Sequence, residues 1–205
     1  MDNPTSGKVL GEVSTAEVLA LRARGAAGQR LHLTPTEASR LITAAGKRGR
    51  YPERDRLMVQ IMYRHGLRVS EVCDLRWTDI NLDENTITIR RKKMGNPSTH
   101  TMDRDELKAL RRLRNKTNSP CVFTSERGGP FQRRQLHYIV AEAGRKAKLE
   151  VPAHPHMLRH AAGYSLINND TDVRLVQEFL GHKTPQMTMH YTAISPKRLA
   201  AVRVR

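Results

Sequence analysis

Two consecutive helices toward the C-terminal end of the chain constrain its fold more than any other feature. Pro152 and Pro155 lead into the first, which runs from His156 to Asn168. The segment Asp170-Thr171-Asp172 is placed to cap the second helix, whose apolar residues recur at helical spacing. Gly181 ends it, since glycine adopts the left-handed backbone of a C-terminal cap. The pattern predicts two packed helices with defined ends.

Helical patterns also dominate the rest of the chain. Thr34, Pro35 and Glu37 together form the signature of a capping box with proline in the first turn. Further along, Gly66 is expected to end a second helix, and Ser70 is expected to cap a short third one. The N-terminal half is therefore predicted to be built from short, well-punctuated helices.

One region has the pattern of a sheet instead. Residues 86–90 alternate β-branched and polar side chains, which is typical of a strand, and Gly95-Asn96 has the chemistry of a hairpin bend. A short buried strand is also predicted at 121–123. The fold class expected is therefore α+β, mainly α-helical, with a small antiparallel sheet whose hairpin covers about residues 86–102.

The charge of the chain indicates its partner. It has 36 Lys and Arg against 20 Asp and Glu, for a formal net charge of +16, and the basic residues are spread along the sequence. Such a field predicts an anionic polymer, most simply nucleic acid, although a basic surface without a dedicated ligand is the competing interpretation. One Trp and three Phe are too few for a platform that stacks single strands. A duplex gripped through its phosphates is favoured.

Other classes are disfavoured by what the sequence lacks. The two cysteines, Cys73 and Cys121, form neither a disulfide framework nor a zinc spacing. No apolar run approaches the ~18 residues of a membrane span, and the N-terminus has no signal-peptide pattern. We therefore expect a cytoplasmic protein that binds no membrane.

Several side chains with chemical potential come together in the C-terminal half. His156 and Arg159 lie three residues apart, on one face of the predicted helix, and His182 and Tyr191 follow. Arg matches phosphate oxygens, His moves a proton near neutral pH, and Tyr is a covalent nucleophile. Arg68, in a tight turn between two helices, is the leading candidate for a further cation. The set suits attack by a phenol on a phosphodiester.

Blander interpretations compete at each position. Tyr191 alone is typical of a partly buried core tyrosine, and a lysine at a hairpin tip is usually solvated. Glu71 is either an ordinary helix charge or the partner of a neighbouring arginine. No metal is expected, because neither Cys nor carboxylate completes a zinc set with the four histidines near the motif. Those histidines are His154, His156, His160 and His182.

Four short segments carry a resemblance to a known family. Residues 66–71 (GLRVSE), 156–160 (HMLRH), 180–182 (LGH) and 190–192 (HYT) resemble the boxes of the tyrosine recombinase, or phage integrase, family. They stand in the family's order, and the similarity covers roughly residues 33–195. The chain looks closest to the short fimbrial phase-variation recombinases, which act by DNA inversion.

The resemblance implies a domain organisation. Residues 32–195 correspond to the catalytic domain of that family and take its fold. Residues 1–31, rich in Gly, Ala, Ser and basic side chains, are predicted to be a flexible N-terminal arm. Residues 196–205 form a basic C-terminal tail that is a candidate for packing on a neighbouring protomer.

The resemblance also implies a mechanism without metal, ATP or other cofactor. Its catalytic set corresponds to Arg68, Lys93, His156, Arg159, His182 and Tyr191. Tyr191 attacks the scissile phosphorus and forms a 3′-phosphotyrosyl link, while the two arginines and His182 stabilise the transition state. Lys93, with Lys92 as the second candidate, protonates the departing 5′ oxygen. His156 acts as general base or positions the tyrosine.

The implied partners are double-stranded DNA, a homo-tetramer assembled on two duplexes, and DNA-bending accessory proteins. The leading hypothesis is a site-specific DNA recombinase of the integrase or invertase type. A DNA-binding regulator or inactive relic that keeps the fold without recombination is the alternative, and a nicking-closing enzyme is a third. Inversion, integration and excision remain open at this point.

Overall fold

A computed structural model of the chain describes residues 31–47, 49–91 and 97–192, apart from the side chain of His190. The helices within these ranges are α1 (Pro35–Ala45), α2 (Pro52–Arg64), α3 (Val69–Cys73), α4 (Arg104–Arg114), α5 (Arg133–Lys146), α6 (Pro155–Asn168), α7 (Val173–Leu180) and α8 (Pro185–Thr192). The strands are β1 (Ile80–Asn81), β2 (Thr86–Ile89) and β3 (Ser98–Thr101). Most of the predicted arm, the predicted tail, both candidate lysines and the Gly95-Asn96 bend lie outside the described residues.

The start of α1 follows the predicted capping box. The Glu37 amide donates to Thr34 Oγ1 at 3.2 Å, and the Glu37 carboxylate accepts from the Thr34 amide at 2.8 Å. Two donors that the helix itself leaves unpaired are thereby satisfied. Leu41 on the inner face of α1 is fully buried. This local prediction is confirmed.

The core forms around α6. This helix packs against five others, which are α1, α2, α5, α7 and α8. α2 contributes five buried apolar residues to the same core, which are Leu57, Met58, Val59, Ile61 and Met62. Burying such side chains stabilises the fold by ~1.5–3 kcal/mol each. Side chains on α6 are therefore held by neighbours on several sides.

The sheet has the strand order β1-β2-β3, and both pairings are antiparallel. Ile87 is aligned with Ile80 on one side and with His100 on the other. Ile87 and Ile89 are buried, and Thr86 and Thr88 between them are more exposed, so the alternation of the sequence matches the two faces. The predicted fold class, mainly helical with a small antiparallel sheet, is confirmed.

Two local predictions are wrong. α3 begins at Val69 rather than after Ser70, because the Glu71 carboxylate accepts a hydrogen bond from the Arg68 amide at 2.8 Å and caps the helix two residues earlier. Residues 121–123 do not form a strand, since Cys121 makes only an isolated bridge with Arg76. Val122 is nevertheless buried, so its apolar character reflects core packing and not a sheet. No helix in the described part of the chain has the length and hydropathy of a membrane span.

Candidate active site

Arg159 lies at the centre of the site, on the first turns of α6. It is 2% exposed, and its guanidinium donates to two backbone carbonyls, with Nη1 2.5 Å from Gly66 O and Nη2 2.5 Å from Leu180 O. Gly66 lies just after the end of α2, and Leu180 is the last residue of α7. Burial, with Arg68 and Arg91 nearby, lowers the pKa of Arg159 to about 9. The side chain therefore stays cationic at neutral pH while it joins two helix ends.

Arg68 is the N-cap residue of α3 and brings a second cation. Its Nη1 donates to Glu71 Oε1 at 2.9 Å, and 32% of its side chain remains exposed. Burial opposes the ionisation of Glu71, but the Arg91 guanidinium and the hydrogen bonds from Arg68 outweigh it, so the pKa of Glu71 is lowered. Glu71 is thus the arginine partner that the sequence left open. It fixes Arg68 while part of the arginine side chain still faces solvent.

His182 follows Gly181, which ends α7 at φ 62° as predicted. Its Nδ1 lies 2.9 Å from Thr188 Oγ1, so Nε2 is the ring nitrogen that remains for an outside ligand. Burial, and then the charges of Arg159 and Arg68, lower the pKa of His182 to about 3. The imidazole is therefore neutral near pH 7. It also lines an open groove of about 800 Å³ between β3 and the end of α7.

Tyr191 on α8 lies within the same group of side chains. Its ring is nearly parallel to that of His182, with centroids 6.0 Å apart, and it stands edge-on to Tyr164 at 4.9 Å. The side chain is 2% exposed. Burial raises the pKa of the phenol, and the charges of Arg159 and Arg68 only partly oppose this. The hydroxyl is therefore protonated at neutral pH.

His160, which was not among the predicted site residues, is the imidazole beside that hydroxyl. Its Nδ1 lies 3.2 Å from Tyr191 Oη. Burial, followed by His156 and Arg159, lowers the pKa of His160 to about 3, so the ring is neutral at pH 7 and its Nδ1 can accept a hydrogen bond from the phenol. His156 lies one turn earlier in an exposed position, with its ring edge-on to His160 at 4.3 Å. The sequence could have indicated His160 as well, because His156 and His160 are four residues apart and therefore lie on the same face of a helix.

The structure thus brings Arg68, His156, Arg159, His182 and Tyr191 into one region. Lys93 and Lys92 lie outside the described residues, so the predicted general acid has no observed position. The described chain contains one group of three closely placed metal-ligand side chains, which consists of Asp103, Asp105 and Glu106. Arg64 makes an ion pair with each of these carboxylates, so a metal ion among them would meet the positive charge of that guanidinium.

Gly163 allows α6 and α8 to approach closely at Tyr191. A Cβ at this position would lie 2.7 Å from the Tyr191 ring, closer than van der Waals contact permits. We expect Gly163→Ala to lower the free energy of unfolding by about 1–3 kcal/mol, as overpacking does in tight cores. Denaturant titration measures this change. Gly129→Ala is the matched control, because its Cβ would meet only Ser125 Oγ at 3.8 Å; an equal loss in both variants would contradict the packing argument.

Comparison with known proteins identifies the family of the chain. Residues 32–198 match the model of the phage integrase family. The chain is 36% identical over 181 residues to the type 1 fimbriae regulatory protein FimE of Escherichia coli strain K12, covering 85% of this chain and 91% of that protein.

Solved structures of recombinases share the fold. The XerA recombinase superposes with a TM-score of 0.72 at 29% identity, covering 82% of this chain and 62% of that one. The XerH site-specific recombinase, solved bound to its palindromic difH substrate, gives 0.72 at 24% identity, covering 93% and 56%. This chain therefore spans about three fifths of the length of those recombinases. It belongs to the phage integrase family of tyrosine recombinases.

Proposed function

We propose that this tyrosine recombinase cleaves and rejoins duplex DNA at specific sites through a 3′-phosphotyrosyl link, without metal or ATP. The observation that carries the proposal is the Tyr191 hydroxyl, held 3.2 Å from His160 Nδ1 in a site that also contains two arginines and His182. A phenol, a neutral base and fixed cations are the components that covalent phosphoryl transfer requires.

In the proposed cleavage, Tyr191 Oη bonds to the scissile phosphorus and its proton passes to His160 Nδ1. The bond from phosphorus to the 5′ oxygen breaks, and that oxygen takes a proton from Lys93, or from Lys92 as the second candidate. Arg68, Arg159 and the free nitrogen of His182 bind the non-bridging oxygens. Reversal by the 5′-hydroxyl of a partner strand rejoins the DNA, because the phosphotyrosyl link conserves the bond. Since Tyr191 is 2% exposed, α8 has to shift when the phosphate arrives.

Duplex DNA is the proposed partner. The net charge of +16 supports a polyanion, and the similar XerH protein was solved with a DNA site. By analogy with the family, we propose that four protomers act on two duplexes, assisted by proteins that bend DNA, in the bacterial cytoplasm at the nucleoid. The similarity to a fimbrial regulator supports inversion of a DNA segment as the outcome.

His160 and His156 are expected to differ in importance. We expect His160→Ala to slow strand cleavage ~100-fold, the usual size of a general-base contribution. His156→Ala, at an exposed position one turn away, is the matched variant and should have a smaller effect. Because the pKa of His160 is about 3, lowering the pH from 8 to 6 should not inactivate the wild type by protonating it. Single-turnover cleavage rates measure both effects, and a larger loss in His156→Ala would reverse the two roles.

The proposed function is tested with nicked suicide duplexes taken from the DNA that flanks the gene. The protein is incubated with each duplex in EDTA and without ATP, and the products are separated in SDS. We expect a protein–DNA adduct with at least one flanking segment. DNA binding without any adduct, even in host extract, would favour the regulator or relic; plasmid relaxation without sequence preference would favour a nicking-closing enzyme.

A further inference from the structure

Arg91, the second residue after β2, is a buried cation that the catalytic scheme does not use. None of its side chain is exposed to solvent. Its Nη1 donates to Glu71 Oε2 at 2.8 Å, and its Nη2 donates to the backbone carbonyl of Phe179. Burying an arginine is costly unless the charge is paired and its donors are satisfied. The two contacts connect Arg91 to two different parts of the site.

The first contact leads to Arg68. Glu71 uses Oε2 to accept from both the Arg91 guanidinium and the Arg68 amide, and uses Oε1 to accept from the Arg68 guanidinium. The Glu71 side chain is 1% exposed, so water cannot replace a lost partner. Arg91 therefore holds the carboxylate that holds Arg68.

The second contact leads to His182. Phe179 and Leu180 are the last residues of α7, and their carbonyls accept from Arg91 and Arg159 respectively. Gly181 lies against the Arg91 side chain, where a Cβ would be 2.7 Å from Arg91 Nε. The next residue is His182. Arg91 thus fixes the helix end from which that imidazole projects.

Arg91 also borders the segment with the candidate general acid. It directly precedes Lys92 and Lys93 in the sequence, and its Nη2 lies 3.4 Å from Ser98 Oγ at the start of β3. One guanidinium therefore contacts groups from α3, from the end of α7 and from the start of β3.

From these contacts we infer that Arg91 is a positioning residue, which aligns Arg68 and His182 for the reaction without touching DNA itself. The inference rests on the proposed function, because alignment matters only if both groups bind the same phosphate. Misplacing a catalytic group by ~1 Å slows a reaction by ~100-fold. Arg91→Met should therefore slow adduct formation about 100-fold at saturating protein, while DNA affinity changes little.

Hydrogen–deuterium exchange tests the connection without any cleavage. In the free protein, Arg91→Met should speed exchange at the amides of Arg68 and His182, which donate to Glu71 Oε2 and Gln177 O, and leave α1 unchanged. The control is Arg90→Met, which removes the same charge at the neighbouring position. The Arg90 side chain is 66% exposed and pairs with Asp79. Unchanged exchange in Arg91→Met would overturn the inference even if the wild type forms no adduct.

A double-mutant cycle tests the consequence for catalysis. Arg68→Ala alone should slow adduct formation by about 1000-fold, the upper size seen when a transition-state donor is lost. Adding Arg91→Met should slow it by less than the ~100-fold expected for independent effects, because part of its effect passes through Arg68. Fully multiplicative effects, or an Arg91→Met rate equal to that of Arg90→Met, would overturn the inference.

A second variant covers the case in which Arg91→Met fails to fold. Glu71→Gln combined with Arg91→Met replaces the buried ion pair by neutral groups, a change that folded proteins often tolerate. This double variant should unfold in a single cooperative transition. It should form the adduct about 100-fold more slowly than the wild type. A folded double variant with the wild-type rate would overturn the inference, whereas absence of adduct from the wild type itself would count against the proposed function instead.

Discussion

Tyr191→Phe is expected to abolish the covalent adduct while DNA binding stays within about two-fold of the wild type. The substitution removes only the hydroxyl, and the ring keeps its contacts with Tyr164 and His182. Loss of the hydrogen bond to His160 should change the free energy of unfolding by about 1 kcal/mol. Denaturing gels with suicide duplexes and gel-shift titrations measure the two properties side by side.

Tyr164→Phe is the matched control for this experiment. Tyr164 is also buried, and burial raises the pKa of its hydroxyl to about 12. Removing this hydroxyl leaves the proposed nucleophile in place, so adduct should still form. Adduct in Tyr191→Phe, or its loss only in Tyr164→Phe, would move the nucleophile away from Tyr191.

Arg159→Lys is expected to have the second largest effect, because it acts on both stability and cleavage. The guanidinium reaches Gly66 O and Leu180 O at the same time, whereas a lysine ammonium is a point charge that cannot reproduce this planar fork. We expect cleavage to slow by about 1000-fold. The free energy of unfolding should fall by about 2–4 kcal/mol, because charge-assisted bonds to two buried carbonyls are lost or weakened.

Arg145→Lys provides the comparison for that result. Arg145 is 70% exposed and pairs with Glu142 one turn away on α5, so the same substitution there should leave the free energy of unfolding nearly unchanged. Single-turnover cleavage and denaturant unfolding of both variants test the contrast. A lysine at position 159 with the wild-type cleavage rate would show that the fork geometry is not needed.

Local sequence signals predicted much of the fold because their physical causes are local. The capping box at Thr34 and the left-handed cap at Gly181 involve groups within three or four residues, and both are observed. The error at Ser70 is also local. Both the Ser70 hydroxyl and the Glu71 carboxylate could cap the helix, and the carboxylate is the group that does so. The predicted strand at 121–123 failed for a different reason, because a short apolar run does not distinguish a strand from a buried loop.

The candidate site was only partly predictable for a similar reason. The order of Arg68, Arg159, His182 and Tyr191 suggested a shared site, and the fold brings them together. Which imidazole meets Tyr191 depends on the packing of α8 against α6, and helical spacing alone cannot choose between His156 and His160. Arg91 pairs with Glu71 across twenty positions of sequence, so no local pattern identifies it.

The most direct test of the central claim is to identify the residue that becomes linked to DNA. The trapped adduct is digested with nuclease and trypsin, and the peptide that retains a nucleotide is sequenced by mass spectrometry. The proposed mechanism predicts one modified peptide, with a 3′-phosphonucleotide on Tyr191. A 5′-linked nucleotide, or a link to any other side chain, would contradict it.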